Sequence, residues 1–275
     1  MALSGHLHLV CAADEHGRSH IRSQSFRAPI HLSKPHESEG VLVVNVVNPT
    51  AGLLAGDRID CRVAVESGAR LLLTAPSASR AHRTPDGRAE VAQEFDVAAG
   101  ASLDVWPELF IPQGGASYRQ STIVRVAEGG ELLFFELLAP GRVAMGEVFA
   151  YRSLDWATDV FFAGELIARE RYRLSPESES VRALRAQFAT AYYASCFAVS
   201  PRLNEESACW RAIHELHEAG AWIGCGPLRR GGWVIKLIAA GSVVFRQKLD
   251  AIRRELYAAL GRRDPALRRA AAMHI

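Results

Sequence analysis

The chain has 275 residues, of which 49% are hydrophobic and 23% charged, the balance of a globular protein with a substantial core rather than a disordered tail. Thirty-two Lys and Arg face thirty Asp and Glu, for a net charge of +2. That near-neutrality argues against a nucleic-acid partner, which requires a basic stripe.

Residues 6–30 read as two strands around the polar turn Glu15-His-Gly-Arg18. Val41–Val47 is a dense β-branched run closed by Asn48-Pro49 and two glycines. From Ile59 to Tyr172 strand follows strand, with spans predicted at 59–65, 69–74, 90–97, 101–106, 118–126, 130–137, 143–151, 153–162 and 165–174. The polar stretch Ser175-Pro-Glu-Ser-Glu-Ser180 then reads as a surface connector, and 191–197 as another strand. Asn204, followed by Glu205 and Glu206, predicts the start of a helix over 203–219, with Gly220 at its end. Strands are expected at 222–225 and 232–239. Val244, Leu249, Ile252, Leu256 and Leu260 lie near helical spacing and predict an amphipathic helix over 243–260 that Gly261 stops. Asp264-Pro265 predicts a short last helix.

Three turns share one template: Val65-x-x-Gly68-Ala69-x-Leu71, Val97-x-x-Gly100-Ala101-x-Leu103 and Val126-x-x-Gly129-Gly130-x-Leu132. A recurrence of about 30 residues marks stacked supersecondary units. Each unit reads as a hairpin with glycine at positive φ, and a lone hairpin must stack to bury its apolar face. The fold class expected is mainly β, a β-helix or solenoid-like stack with a few C-terminal α-helices. A single elongated domain over 1–275 is expected, β-rich to about 175 and mixed from about 176.

The five cysteines are odd in number, widely spaced and without a CxxC, which fits free thiols in a reducing compartment. The first residues lack a basic region followed by a long apolar one, and runs such as Val41–Val47 are too short to span a bilayer. A cytoplasmic protein without membrane contact is expected. Arg253, Arg254, Arg262, Arg263, Arg268 and Arg269 read as a solvated helix face and tail.

Three segments can carry chemistry. The loop Asn48-Pro-Thr-Ala-Gly-Leu-Leu-Ala-Gly-Asp-Arg58 is either a glycine-rich turn, with Asp57 bonding its own backbone, or a site; it forms neither GxGxxG nor a P-loop. Residues 74–83 mix Thr74 and small hydroxyl residues with Arg80, His82 and Arg83, as either a binding loop or an exposed connection. In 134–148, Glu136 interrupts an apolar run and Glu147 follows a Pro140-Gly141 turn. A buried carboxylate needs a partner, a shifted pKa or an ion. The two glutamates read either as an acid/base pair or as separate salt bridges, with Arg142 and Arg125 as candidate partners. His6-x-His8 on a strand and His214-x-x-His217 on a helix share a face, but neither has a third ligand at standard spacing. His214 and His217 sit beside Trp210 and Ile213 and are expected to be partly buried. There is no GxSxG.

Taken in order, Phe26-Arg-Ala-Pro29, the 48–58 loop, Gly68-Ala through Thr74-x-Pro76, Gly100-Ala to Pro107-Glu108, Glu136 through Gly141-Arg142 to Gly146-Glu147, and Ala191-Tyr-Tyr-Ala-Ser-Cys-Phe197 resemble the UreD family of urease accessory proteins, called UreH in some lineages. The chain departs from the family pattern at Ala51, Ala75, 77–82 and 110–115. The resemblance implies a β-helical protein with no catalytic site and no tightly bound cofactor. It implies binding to apo-urease, direct recruitment of UreF and, through that complex, of the GTPase UreG, so that Ni²⁺ passes transiently through an internal tunnel to urease. By position, Asp57, Thr74, Glu136 and Glu147 would lie along that passage, where weak oxygen ligands suit an exchangeable ion. Arg253, Arg254, Leu249 and Leu256 are assigned to the partner surface. The competing expectation is a β-helical polysaccharide lyase or hydrolase using Glu136 and Glu147. It calls for a groove lined by aromatics, which make up 8% of the chain.

Overall fold

A computed structural model describes residues 2–50 and 52–265. The chain forms β1 (Ser4–Ala13), β2 (Ser19–Arg27), β3 (His31–Leu32), β4 (His36–Ser38), β5 (Val41–Val47), β6 (Arg58–Val65) and β7 (Arg70–Thr74). There follow β8 (Ser79–Ala81), β9 (Ala89–Val97), β10 (Ser102–Trp106), β11 (Phe110–Pro112), β12 (Ser117–Val126), β13 (Glu131–Leu138), β14 (Ser153–Phe162) and β15 (Glu165–Leu174). The remainder is α1 (Glu179–Gln187), β16 (Tyr192–Val199), α2 (Cys209–Glu215), β17 (Ala221–Pro227), β18 (Gly232–Ala239) and α3 (Ser242–Ala259).

Two sheets stack face to face. The first runs β15-β14-β12-β9-β6-β1-β2, and the second β17-β18-β16-β13-β10-β7-β5-β3. The strands β1, β6, β9, β12 and β14 are parallel, as are β5, β7, β10 and β13. Antiparallel strands close both edges of the first sheet, β2 beside β1 and β15 beside β14. From β5 to β14 the main strands alternate between the sheets, and the short β8 and β11 add to the second sheet after β7 and β10. This is the expected solenoid-like stack, with its helices towards the C-terminal end.

The template turns are arches rather than the expected hairpins. The strands flanking Gly68, Gly100 and Gly129 lie in opposite sheets and face each other across the core. Each turn carries the chain from sheet to sheet and then rests on the next. Val65, Val97 and Val126 pair in register, and so do Leu71, Leu103 and Leu132. The Ala98 N–H donates to the Val65 carbonyl at 2.9 Å and the Ala127 N–H to that of Val97 at 2.8 Å. The three glycines hold φ of +78°, +71° and +77°, where a Cβ would be strained. The repeat signals stacking, but its residues do not distinguish strands that bond sideways from strands that pack face to face.

The sheets differ in burial for a topological reason. In the first sheet β12 alternates buried and exposed positions, since its outer face meets solvent. The second sheet is covered on both faces. Leu132 and Phe134 of β13 face the first sheet with Phe95 and Val124. Leu133, Phe135 and Leu137 face outward beneath Ile213 of α2 and Phe245, Leu249, Ile252 and Leu256 of α3. Double coverage explains the near-continuous apolar runs of β5 and β13.

Four local expectations change. No strand forms over 143–151; a 3-10 turn at Val143–Met145, ended by Gly146 at φ +74°, takes its place, and the Arg142–Glu147 ion pair draws the loop shut. The polar connector instead starts α1, whose N-cap Ser178 accepts from the Val181 N–H at 3.4 Å. The helix over 203–219 shrinks to α2, because the Asn204 side chain accepts the Glu206 N–H and the Ser207 hydroxyl, capping a turn instead. His214 and His217, expected to be partly buried, are exposed, while Trp210 and Ile213 take the buried face. The predicted last helix falls almost wholly outside the described residues, as do Arg268 and Arg269.

Candidate functional site: a polar cavity between the sheets

A cavity of about 220 Å³ lies between the sheets. Most of its wall is apolar, including Leu53, Ile59, Val91, Phe110 and Phe134. Polar groups enter from inward-facing strand positions: Gln93 of β9, Gln120 of β12 and Glu136 of β13. Thr74, at the end of β7, lines the same space.

Glu136 is 5% exposed and is held from both sheets. Its Oε1 accepts the Trp156 indole N–H at 2.8 Å, the Thr158 hydroxyl at 2.9 Å and the Gln120 amide at 3.2 Å. Its Oε2 is 3.0 Å from the Thr158 hydroxyl and accepts the Ser195 hydroxyl at 3.4 Å. Burial pushes the carboxyl up to about 7. The bonds from Trp156 and Thr158 oppose that rise, the Glu170 charge adds to it and the Lys236 charge opposes it. Near neutral pH Glu136 therefore exists both with and without its proton. Cys61 lines the cavity too, but burial pushes its thiol up to about 12, so it stays protonated and is a poor metal ligand.

The cavity reaches the outer side of the second sheet through a break in the strands. The β10–β13 ladder stops at Val105 opposite Phe134, and pairing on that side of β13 resumes at Leu138 with Phe110 of β11. Strand β7 ends at Thr74. Ala75, Ser77, Pro107 and Glu108 line this opening, beside the outward-facing Phe135 and Leu137.

Glu136 and Thr74 thus share one cavity, whereas Asp57 and Glu147 stand outside its lining. Asp57 is buried and tied to the backbone: Oδ1 accepts the Leu3 N–H at 2.7 Å and Oδ2 the Leu54 N–H at 2.8 Å. It fixes the glycine loop to the start of β1. Glu147 pairs with Arg142 and accepts the Gly114 N–H at 2.8 Å. That pairing, Arg142 first, holds its carboxyl at about 2. Arg125, the other candidate partner, binds Glu94 and Asp96 on the solvent face. Glu136 lines the cavity and Glu147 does not, and the two share no hydrogen-bond partner.

Among the described residues, no group of three His, Cys, Asp or Glu stands close enough to hold a metal ion. His8 bonds Asp60 at 2.8 Å and His6 bonds Ser25 at 2.8 Å. The positions assigned to a partner surface divide. Leu249, Leu256 and Arg253 are buried against the second sheet, and Arg254 is exposed. The Arg253 guanidinium lies 4.7 Å from the Trp106 ring centre and 5.0 Å from that of Tyr257, and pairs with Asp264 at 2.6 Å. It secures α3 rather than facing outward. Among the described residues, no helix is long and apolar enough to cross a membrane.

Sequence reasoning passed over Gln93, Gln120, Trp156, Thr158, Ser195 and Glu108. The signal was a polar residue at an inward strand phase, which becomes readable once the register of the stack is known.

A family model described as UreD urease accessory protein matches residues 3–272. The urease accessory protein UreD of Opitutus terrae is 46% identical over 267 residues, covering 95% of this chain and 97% of the relative. That of Deinococcus radiodurans is 31% identical, covering 83% of this chain and 77% of the relative. That of Acetivibrio thermocellus is 27% identical, covering 88% and 93%.

Proposed function

Since the chain belongs to the UreD urease accessory protein family, we propose that it is a non-enzymatic scaffold through which Ni²⁺ reaches apo-urease in the cytoplasm. In this reading UreF binds the chain directly, UreG joins through that complex, and Ni²⁺ is cargo rather than a resident cofactor. One observation carries the proposal: a buried carboxylate, Glu136, stands in an internal cavity with an opening in one sheet.

The chemistry of the lining suits a transient ion. Ni²⁺ arriving at Glu136 displaces its proton. The Thr158 and Ser195 hydroxyls turn lone pairs towards the ion, and the Gln120 amide rotates to present its oxygen. Trp156 can only donate, so it keeps the carboxylate in place. The resulting ligands are oxygens, with the Cys61 thiol of the cavity wall protonated, so the ion is held loosely enough to leave. Thr74 adds a hydroxyl towards the opening. Asp57 and Glu147 act from outside, by fixing the loops at 48–58 and 141–147.

The test is urease maturation in cells carrying the urease operon with this gene deleted, then restored as wild type or as Glu136→Ala. Deletion is expected to leave purified urease without nickel. Wild type restores it and Glu136→Ala does not. Urease that is fully metallated without this gene would end the proposal.

A further inference from the structure

The cavity wall holds a second carboxylate, at its mouth. Glu108 follows β10 where the strand ladder breaks, and it lines the opening. Its charge is already taken: Arg246 of α3 reaches Oε2 at 2.6 Å and Oε1 at 3.5 Å. Both side chains keep contact with solvent, at 22% for Glu108 and 38% for Arg246.

This pairing ends a row of contacts between α3 and the outward face of β10. Tyr257 donates to Asp104, Arg253 lies over Trp106, and Arg246 holds Glu108. The first two contacts are buried and fasten the helix. The third sits near the start of α3, where Gly241 offers no capping side chain. The member of the row that keeps contact with solvent is therefore the one at the opening.

We propose that Glu108 is the group that first takes a divalent cation at the cavity mouth, and that Arg246 closes this site by occupying its carboxylate. The inference rests on the reading of the cavity as a cation passage. A divalent ion that reaches Glu108 exchanges with the guanidinium, which swings out to solvent. Glu136 lies further in, through the gap beside Phe135 and Leu137.

The experiment titrates the full-length chain with NiCl₂ alone, by calorimetry, in a His8→Gln background that breaks up the paired imidazoles of β1. Arg246→Gln is expected to strengthen Ni²⁺ binding roughly twofold to fivefold, the strength of a part-exposed ion pair. Arg246→Lys keeps the charge and should bind as the parent does. Glu108→Gln should weaken binding and erase the gain from Arg246→Gln. Melting curves establish that each variant is folded. If folded Arg246→Gln binds Ni²⁺ no better than the parent, the closure is overturned. Glu136→Gln then separates the two ideas. Loss of binding there leaves the passage standing without the closure, and unchanged binding removes both.

Discussion

The indole N–H of Trp156 donates to Glu136 at 2.8 Å and so joins β14 of one sheet to β13 of the other across the interior. The bond places a neutral donor beside a carboxylate that burial would otherwise keep protonated. Trp156→Phe removes the donor and, with the indole's second ring, some packing whose loss does not vary with pH. The expected cost of the lost bond is about 1.5–3 kcal/mol, the range for hydrogen bonds to charged groups. It should be larger at pH 8 than at pH 5, since the ionised form gains most from the bond. Urea unfolding at the two pH values checks this.

Glu136 should also set a pH dependence of stability. Its carboxyl titrates near 7 in the folded chain against an ordinary value of 4.5. The folded state therefore holds the proton over a window in which the unfolded state has released it. Stability from this group is full below about 4.5 and is lost as pH rises through about 7, on the order of 3 kcal/mol in all. Glu136→Gln should flatten that fall, bringing the melting temperatures at pH 5 and pH 8 closer together than in wild type. Parallel curves for the two proteins would contradict the burial argument.

Arg253 and Arg254 are neighbours with different work. Removing the Arg253 side chain uncovers Trp106 and leaves Asp264 unpaired, so Arg253→Ala should destabilise by about 2–3 kcal/mol. Arg254→Ala should change stability by less than about 0.5 kcal/mol. Thermal melts separate the two. A loss of partner capture on charge reversal is informative about an interface at Arg254, whereas at Arg253 it reports damage to the attachment of α3.

The third template turn has glycine where the other two have alanine. A Cβ at Gly130 would come within 2.9 Å of the Ala98 carbonyl oxygen and 3.0 Å of that of Ala127. Gly130→Ala should therefore cost about 1–3 kcal/mol, although alanine fills the equivalent places at Ala69 and Ala101. A melting temperature equal to wild type would show that the arch yields without strain.

Much of the fold was legible because the strand signal and the repeat agree over 59–174. The exceptions share a cause. Hairpin and arch are told apart by where the second strand goes, which local sequence does not state. The segment 143–151 alternates like a strand, yet it is turned by Gly146 and by the pairing of Arg142 with Glu147. At the site, Glu136 stood out because a carboxylate is rare in an apolar run. Its donors did not, since Gln, Trp and Thr are ordinary in strands and gain meaning only from opposing sheets. Asp57 took the structural alternative, bonding the backbone of its own loop, and Glu147 took Arg142.

The double coverage of the second sheet has a consequence for biosynthesis. The part of its outward face carried by Val43, Leu72, Leu133 and Phe135 is synthesised well before β16, β17, β18 and the helices that complete and cover it. A ribosome making this chain exposes that greasy flank until the last elements emerge. Premature termination or proteolytic loss of the segment from Ser242 onward would leave a sticky, unfinished particle. Such a chain is a natural client for holdase chaperones and quality-control proteases.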